Sequence, residues 1–177
     1  MANDPNWNLP EVPTFTLTSP DFAEGDVLPQ SARSGIFGAG GQDRSPALRW
    51  SGAPESTKSY VLTCYDPDAP TGSGFWHWAV YNIPAEVTSL AADAGNPDTS
   101  LLPESAITVA NEARLERFLG ADPPAGHSVP RYVFTVTALD TAELAIPLGS
   151  TPAFLGFNLL DDILGRAQLT GTSETPA

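Results

Sequence analysis

The sequence predicts a single, loop-rich domain built mainly of β-strands, and three observations support this. The chain has 177 residues, which is enough to bury one sizeable core but too short for a second independent domain. Its 18 prolines and 15 glycines favour turns and extended connections over long helices. Residues 131–139, RYVFTVTAL, are rich in β-branched and aromatic side chains and form the clearest predicted strand.

The other strands are predicted from short alternating or apolar runs. Residues 1–13 contain three prolines and show no periodicity, so they are predicted to be an N-terminal arm, and residues 14–177 are predicted to be the single domain. Further strands are predicted at residues 15–18, 47–50, 59–65, 75–83 and 167–170.

Two helices and a glycine-rich loop complete the predicted elements. A short helix is predicted around residues 111–118. A second helix is predicted from Thr151 and Pro152, which supply a hydroxyl cap and a first-turn proline, to Gly165. The residues at helical spacing within it are Ala153, Phe157, Leu160 and Leu164. Residues 35–46, GIFGAGGQDRSP, are predicted to be a flexible loop, and they lack the GKS or GKT ending of a nucleotide-binding loop.

Charge and composition exclude several classes of partner. The chain has eight Lys and Arg residues and 21 Asp and Glu residues. The resulting net charge of −13 repels nucleic acids and anionic membrane surfaces. No stretch approaches the roughly 18 apolar residues of a membrane span, and the N-terminus has no secretory signal pattern. We therefore expect a soluble cytoplasmic protein with no nucleic-acid partner and no integral membrane association. The one cysteine, Cys64, lies in an apolar run and is predicted to be a core residue.

The stretch DPDAP, residues 66–70, orders two carboxylates. A residue before proline is pushed into an extended conformation, which applies to Asp66 and Ala69. Along an extended chain Asp66 and Asp68 project to the same face, because side chains alternate with a period of two. Two carboxylates on one face repel each other, so one of them should be protonated, hydrogen-bonded or close to a cation.

The stretch FWHWAVY, residues 75–81, places one of the chain's two histidines in a strand. Alternation puts Trp76 and Trp78 on one face as core anchors, and His77 with Phe75 on the other, where an imidazole nitrogen could reach a cavity.

Asp66 and His77 are predicted to meet at one end of a hairpin, because ten residues connect them. A carboxylate beside an imidazole favours the imidazolium, which can donate to an anion. A purely structural histidine bonded to a turn aspartate explains the same spacing. A metal site is not expected, since no second histidine clusters nearby, and no cofactor is expected.

Three runs of residues resemble a known family. They are SPALRWSGAPESTKSYVLTCYDPDAPTGSGFWHWAVYNIP, PPAGHSVPRYVFTVTALD and FLGFNLLDDILGRAQLTGT, which together span about residues 45–171 in order. They resemble the phosphatidylethanolamine-binding protein family, in its bacterial YbhB/YbcL branch, often labelled Raf-kinase-inhibitor-like. The resemblance implies a two-sheet antiparallel β-sandwich with Greek-key connections and a few peripheral helices, including one near the C-terminus.

The resemblance also implies a small pocket at one end of the sandwich that binds anions such as phosphate or a phospholipid head group. The family's pocket residues correspond here to Asp66, Asp68, Phe75, His77, Pro124 and Tyr132.

One position departs from the family pattern. The family usually has a histidine directly before Arg-Tyr in the second block, where this chain has Pro130. The other histidine, His127, lies three residues earlier and is expected to be a surface or loop residue. Loss of a charge-assisted donor worth about 1.5–3 kcal/mol predicts weaker phosphate binding or a less charged ligand.

Two function hypotheses follow. The first is a non-catalytic protein that binds a small anionic or amphipathic molecule, with a possible regulatory, kinase-inhibitor-like role. The alternative is an enzyme of small-molecule biosynthesis in which His77 and Asp66 form an acid–base pair for isomerisation or cyclisation. Binding is favoured, because the pair lacks an evident nucleophile or metal. A homodimer is possible, since the aromatic arm around Trp7 could pack on a neighbour.

Overall fold

The computed structural model describes residues 8–126 and 128–175. Within this part the chain forms strands β1 Thr16–Thr18, β2 Leu48–Ser51, β3 Ser59–Asp66, β4 Phe75–Pro84, β5 Ser89–Leu90, β6 Ile107–Thr108, β7 Arg131–Leu139 and β8 Ile163–Thr172, and helix α1 Pro152–Asn158. Short 3-10 turns lie at Gln30–Ala32 and Pro97–Thr99. No helix among these residues is both long and apolar enough to cross a membrane.

The strands form two antiparallel sheets that enclose the main core. The larger sheet has the order β6-β4-β3-β7-β8 and the smaller one the order β1-β2-β5. Leu48 and Trp50 of the small sheet pack in one apolar cluster with Leu62, Trp78 and Phe134 of the large sheet. Burial of this cluster between two faces is what stabilises a sandwich, so the predicted mainly β, two-sheet architecture with a helix near the C-terminus is confirmed.

The predicted C-terminal helix is correct at its start and wrong at its end. Thr151 caps it, since its hydroxyl accepts from the N–H of Phe154. The helix ends at Asn158 rather than Gly165, because residues from Ile163 onward pair with β7 as β8. The apolar residues that pack inward are Leu155 and Leu159, whereas Phe157 is 69% exposed.

The helix predicted at residues 111–118 does not form. Arg114 has a φ of 62°, in the left-handed region that interrupts a right-handed helix. The side chain of Asn111 holds the turns instead: its Oδ1 accepts from the N–H groups of Ala113 and Leu115, and its Nδ2 donates to the carbonyl of Arg117.

A β-bulge in β4 changes which side chains face the core. Cys64 pairs with Trp78 and Tyr65 with Trp76, so His77 is an extra residue without an opposite partner in β3. The prediction that Trp76 and Trp78 share a face is therefore wrong. Trp78 is buried in the main core, whereas Trp76 contacts Tyr65 on the outer face, with ring centroids 4.3 Å apart.

Candidate ligand-binding pocket

A cavity of about 190 Å³, called here the end pocket, lies where β3 ends and β4 begins. The structure brings all seven residues predicted for the site to its lining: Asp66, Asp68, Phe75, His77, Pro124, Pro130 and Tyr132. That these residues bind a ligand stays a prediction. The other histidine, His127, and the arm around Trp7 lie outside the described residues.

One side of the end pocket, the strand wall, comes from three neighbouring strands. Asp66 is paired with Phe75 across the β3–β4 hairpin, and Tyr132 comes from β7. The His77 ring lies between two aromatic rings, with centroids 4.9 Å from Phe75 and 5.0 Å from Tyr132. Strand alternation places His77 on the same side as Phe75, and the bulge brings Trp78 to that side as well.

His77 is held as a neutral ring with a defined tautomer. It is only 6% exposed, and its Nδ1 lies 2.8 Å from the carbonyl oxygen of Leu119. A carbonyl can only accept, so Nδ1 carries the proton and Nε2 has the free lone pair. Burial lowers the pKa of His77 to about 4, although the Leu119 carbonyl and the charge of Asp43 act in the opposite direction. The prediction of an imidazolium stabilised by Asp66 is therefore wrong: the hydrogen-bond partner is a backbone carbonyl.

Asp66 is the group in the strand wall whose protonation changes closest to neutral pH. It is 4% exposed, and burial raises the pKa of this carboxyl to about 6. The N–H of Asp68, which donates to Asp66 Oδ1 at 2.7 Å, and that of Ala69 oppose this shift. Asp66 is therefore partly protonated at mildly acidic pH, as expected for one member of a carboxylate pair.

Asp68 is ionised and forms an ion pair with Arg131. Its two carboxylate oxygens accept from Nε and Nη2 of Arg131 at 2.7 and 2.8 Å, and the N–H of Arg131 donates to Oδ2. The Arg131 guanidinium lowers the pKa of Asp68. This pair resolves the predicted repulsion between the two carboxylates of DPDAP, because one is paired with a cation and the other gains a proton more easily.

The opposite side of the end pocket, the loop wall, depends on Asp43. This buried carboxylate accepts from the N–H groups of Gly35, Ile36 and Gly120, each at 2.8 Å. Gly120 follows Leu119, whose carbonyl holds His77. The glycine-rich loop predicted to be flexible is thus fixed by hydrogen bonds. A Cβ at Gly120 would collide with the backbone of Arg33, so this position requires glycine.

The sequence prediction missed most of the loop wall. The lining residues it did not identify are Phe37, Ala69, Pro70, Thr71, Leu119, Gly120, Asp122, Pro123 and Ser128. The available signal was the glycine density of residues 35–41, which indicates close backbone approach as well as flexibility.

The site has no evident metal or thiol chemistry. Across residues 8–126 and 128–175, no group of three or more His, Cys, Asp or Glu side chains is arranged to hold a metal ion. Cys64 is fully buried in the main core, and burial raises the pKa of its thiol, which disfavours the nucleophilic thiolate. What the geometry offers is an acceptor nitrogen, a carboxyl with a pKa of about 6 and a shaped cavity.

Comparisons with known proteins give a consistent result. The family model described as phosphatidylethanolamine-binding protein matches residues 18–174. The chain is 43% identical to the Escherichia coli protein YbcL over 90% of this chain and 87% of YbcL. The crystal structure of E. coli YbcL superposes with a TM-score of 0.87, covering 91% of this chain and 98% of that one.

Two further relatives extend this comparison. E. coli YbhB is 40% identical over 87% of this chain and 96% of its own length. A fungal relative, the phomoidride biosynthesis cluster protein B of Talaromyces stipitatus, is 31% identical over 87% of this chain and 63% of its own length.

Proposed function

Because the chain belongs to the phosphatidylethanolamine-binding protein family, we propose that it is a small-molecule-binding protein whose end pocket takes a phosphate-like acid together with one proton. The ligand is inorganic phosphate, a phosphate monoester or the phosphate of a lipid head group. The volume of about 190 Å³ supports a small group, since sites for drug-sized ligands measure about 300–1,000 Å³.

The observation that carries the proposal is the hydrogen bond from His77 Nδ1 to the Leu119 carbonyl. It leaves Nε2 as an acceptor in the wall of the cavity, so the ligand must either donate a proton to Nε2 or arrive with a proton that Nε2 takes up. A fully ionised phosphate would meet a lone pair there, which is unfavourable.

The rest of the lining supports the same requirement. Four of the lining residues are prolines, which have no N–H to offer an anion: Pro70, Pro123, Pro124 and Pro130. Asp66 and Asp122 add carboxyl groups, and the Arg131 guanidinium is engaged by Asp68. The lining also contains the neutral hydroxyls of Thr71, Ser128 and Tyr132, but no cation that is not already paired, so a doubly charged anion gains little among these lining residues until a proton accompanies it.

Calorimetric titration in buffers of different ionisation enthalpy tests the proposal. Phosphorylethanolamine, titrated at pH 7.5, should bind with uptake of about one proton, because phosphate monoesters have a second pKa near 6 and are almost fully ionised at this pH. Inorganic phosphate still carries a proton at this pH and should bind with less uptake. His77→Gln should weaken binding at least tenfold and remove most of the uptake. Binding without proton uptake, or no binding at millimolar ligand, contradicts the proposal.

His127→Gln serves as the matched control for the loss of one imidazole. It should leave the proton uptake of the wild-type protein in place. Loss of uptake in this variant instead would assign the proton to His127 and remove His77 from the proposed role.

A second candidate function is acid–base catalysis by Asp66 and His77. It is favoured by a carboxyl with a pKa of about 6 and a neutral imidazole in one cavity, which provide a proton donor and a proton acceptor near neutral pH. The fungal relative named for a biosynthesis cluster adds support for testing small organic substrates. Turnover that survives both His77→Gln and Asp66→Asn contradicts this candidate.

Three further properties stay predictions. A kinase-regulating role rests on the family resemblance alone and requires a protein-binding measurement with a purified kinase. A cytoplasmic location and a homodimer are checked by fractionation of cells and by sedimentation of the purified chain.

A further inference from the structure

A second and larger cavity lies on the outer face of the five-stranded sheet. This cavity, called the outer groove, has a volume of about 630 Å³ and lies within the range of small-molecule sites. Strands of the large sheet form its floor, α1 forms one wall, and the turn at residues 71–74 closes one side. It shares only Thr71 with the end pocket among the lining residues that the structure describes.

The strand register gives the order of the side chains along the floor of the outer groove, from aromatic residues at one end to an arginine at the other. At one end Tyr65 is paired with Trp76 and with Val133. Thr63 is paired with Thr135 in the middle.

At the far end of this floor, Thr137 is paired with Arg166. The four-residue step from Val133 to Thr137 corresponds to about 13 Å along the strand. The floor therefore runs from an apolar end to a positively charged end.

Arg166 has a buried nitrogen that lacks an acceptor. Its Nη2 is inaccessible to solvent and has no hydrogen-bond partner among residues 8–126 and 128–175, although Arg166 lines the groove. Burial also lowers the pKa of this guanidinium, which is the sign of an uncompensated charge. By contrast, Lys58 pairs with Asp140 and Arg131 with Asp68. An unpaired cation of this kind is costly in the free protein and strongly favours an anion that fits beside it.

The outer wall of the groove is apolar. Leu155 of α1 and Leu159, directly after the helix, pack onto the sheet, and the exposed side chains Phe157 and Leu160 border the opening. A ligand lying along the floor would cover apolar surface at one end and place an acceptor near Arg166 at the other.

We propose that the outer groove binds an amphipathic carboxylate with an extended apolar body, such as a medium-chain fatty acid, whose carboxylate pairs with Arg166. The carboxylate supplies the acceptor that Nη2 lacks, and the apolar body lies over the floor towards Tyr65 and Trp76. This site is distinct from the end pocket and does not depend on its function.

The shape of the surface favours a small molecule over a second copy of the chain. In a two-fold symmetric dimer the same patch meets itself, so two concave patches facing each other would enclose a hollow. A narrow ligand fills a groove with a floor and a helical wall, and it reaches the guanidinium at one end.

Calorimetry with sodium decanoate tests the proposal on the wild-type chain. Decanoate should bind in the micromolar range, whereas acetate, which has the charge without the body, and decanol, which has the body without the charge, should bind at least tenfold more weakly. Arg166→Gln should weaken decanoate binding at least tenfold. Arg49→Gln, the same change at an exposed arginine on β2, is the matched control and should bind as the wild type does.

Gly156→Phe provides a steric test that does not depend on the stability of Arg166 variants. Gly156 lines the groove, and a Cβ added there meets no atom within 4 Å, so the position has room for a larger side chain that narrows the groove. This variant should abolish decanoate binding and keep phosphate binding. Equal affinity of decanoate for Arg166→Gln and wild type overturns the proposal, as does loss of binding in His77→Gln. Self-association of the wild type that Gly156→Phe abolishes would also overturn it, by assigning the groove to a second copy.

Discussion

The two walls of the end pocket are built by different means. The strand wall holds Asp66 and His77 on adjacent strands: pairing with Phe75 fixes Asp66, and the bulge between two paired residues fixes His77. The loop wall has no pairing of that length. Scattered backbone hydrogen bonds, such as those from Ser34 to Ala121 and from Leu119 to His77, hold it together with the buried carboxylate of Asp43. The strand wall carries the groups that change charge, whereas the loop wall supplies the carbonyl of Leu119 that decides which nitrogen of His77 faces the ligand.

This difference separates two kinds of control over the pocket. Burial in the strand wall moves the pKa of His77 down and that of Asp66 up, so both side chains favour their neutral forms. The loop wall acts through geometry, because a shift of Leu119 would free Nδ1 and change the tautomer. Variants in the loop wall should therefore lose stability outright, while variants in the strand wall should change the dependence of stability on pH.

The largest effect is expected for Asp43→Ala. The substitution leaves three backbone N–H groups without their acceptor in a buried position and places alanine at a φ of 51°, so unfolding free energy should fall by about 4 kcal/mol. Urea denaturation monitored by tryptophan fluorescence measures this. Glu86→Ala, at an exposed carboxylate, should cost less than about 0.5 kcal/mol. A similar small cost for Asp43→Ala would mean that the loop wall is held by other contacts.

The second largest effect is expected for His77→Gln, which should reduce the loss of unfolding free energy at acidic pH. Its folded pKa of about 4 lies below the ordinary 6.5, so the unfolded chain binds a proton first as the pH falls through this window. The contribution of His77 to the unfolding free energy is therefore fully present above pH 6.5, and about 3 kcal/mol of it is lost by pH 4. In His77→Gln the decline in unfolding free energy between pH 7 and pH 4.5 should be smaller than in the wild type by about that amount. Parallel pH profiles for the two proteins would show that His77 is not buried as a neutral ring.

Asp66→Asn should change the pH dependence of the unfolding free energy in the opposite direction from His77→Gln, and by a somewhat smaller amount. The folded pKa of about 6 lies above the ordinary 3.8, so the folded chain retains the proton and stability falls as the pH rises from about 4 to about 6. The unfolding free energy at pH 7 minus that at pH 4.5 should therefore be larger in Asp66→Asn than in the wild type, by about 2–3 kcal/mol. The variant should therefore lose stability more steeply on acidification, because His77 is then unopposed. A shallower profile would contradict the raised pKa of Asp66.

The strand wall could be predicted from the sequence, and the loop wall could not. Alternation and β-branched composition located β3, β4 and β7 within one residue, and the family resemblance supplied the lining residues. The bulge at His77 escaped prediction because it depends on register between two strands, which the sequence of one strand does not contain.

The loop wall depends on contacts between distant residues. Asp43 and Gly120 are 77 positions apart, and the groups that donate to Asp43 are backbone N–H groups that every residue except proline has. The outer groove was missed for a related reason: the helix was predicted to be longer than it is, because pairing of Ile163 with Leu139 overrides helical periodicity there.

The smallest effect is expected for the ion pair that separates the two carboxylates. Asp68→Asn keeps an oxygen for one donor of Arg131 but loses the charge, so unfolding free energy at pH 7 should fall by about 1 kcal/mol, measured by urea denaturation. The Asp68 and Arg131 side chains are 16% and 34% exposed. Lys58→Gln, which breaks a pair with both side chains more than half exposed, should change stability by less than about 0.5 kcal/mol.

Asp68→Asn also tests the coupling between the two carboxylates of DPDAP. The Asp68 carboxylate raises the pKa of Asp66, whereas the Arg131 guanidinium lowers it, and removing the Asp68 charge leaves the guanidinium less compensated. The pKa of Asp66, followed by NMR of its side-chain carboxyl carbon, should therefore fall from about 6 towards its ordinary value. An unchanged pKa would mean that burial alone sets the protonation of Asp66 and that the ion pair serves only to hold the DPDAP turn against β7.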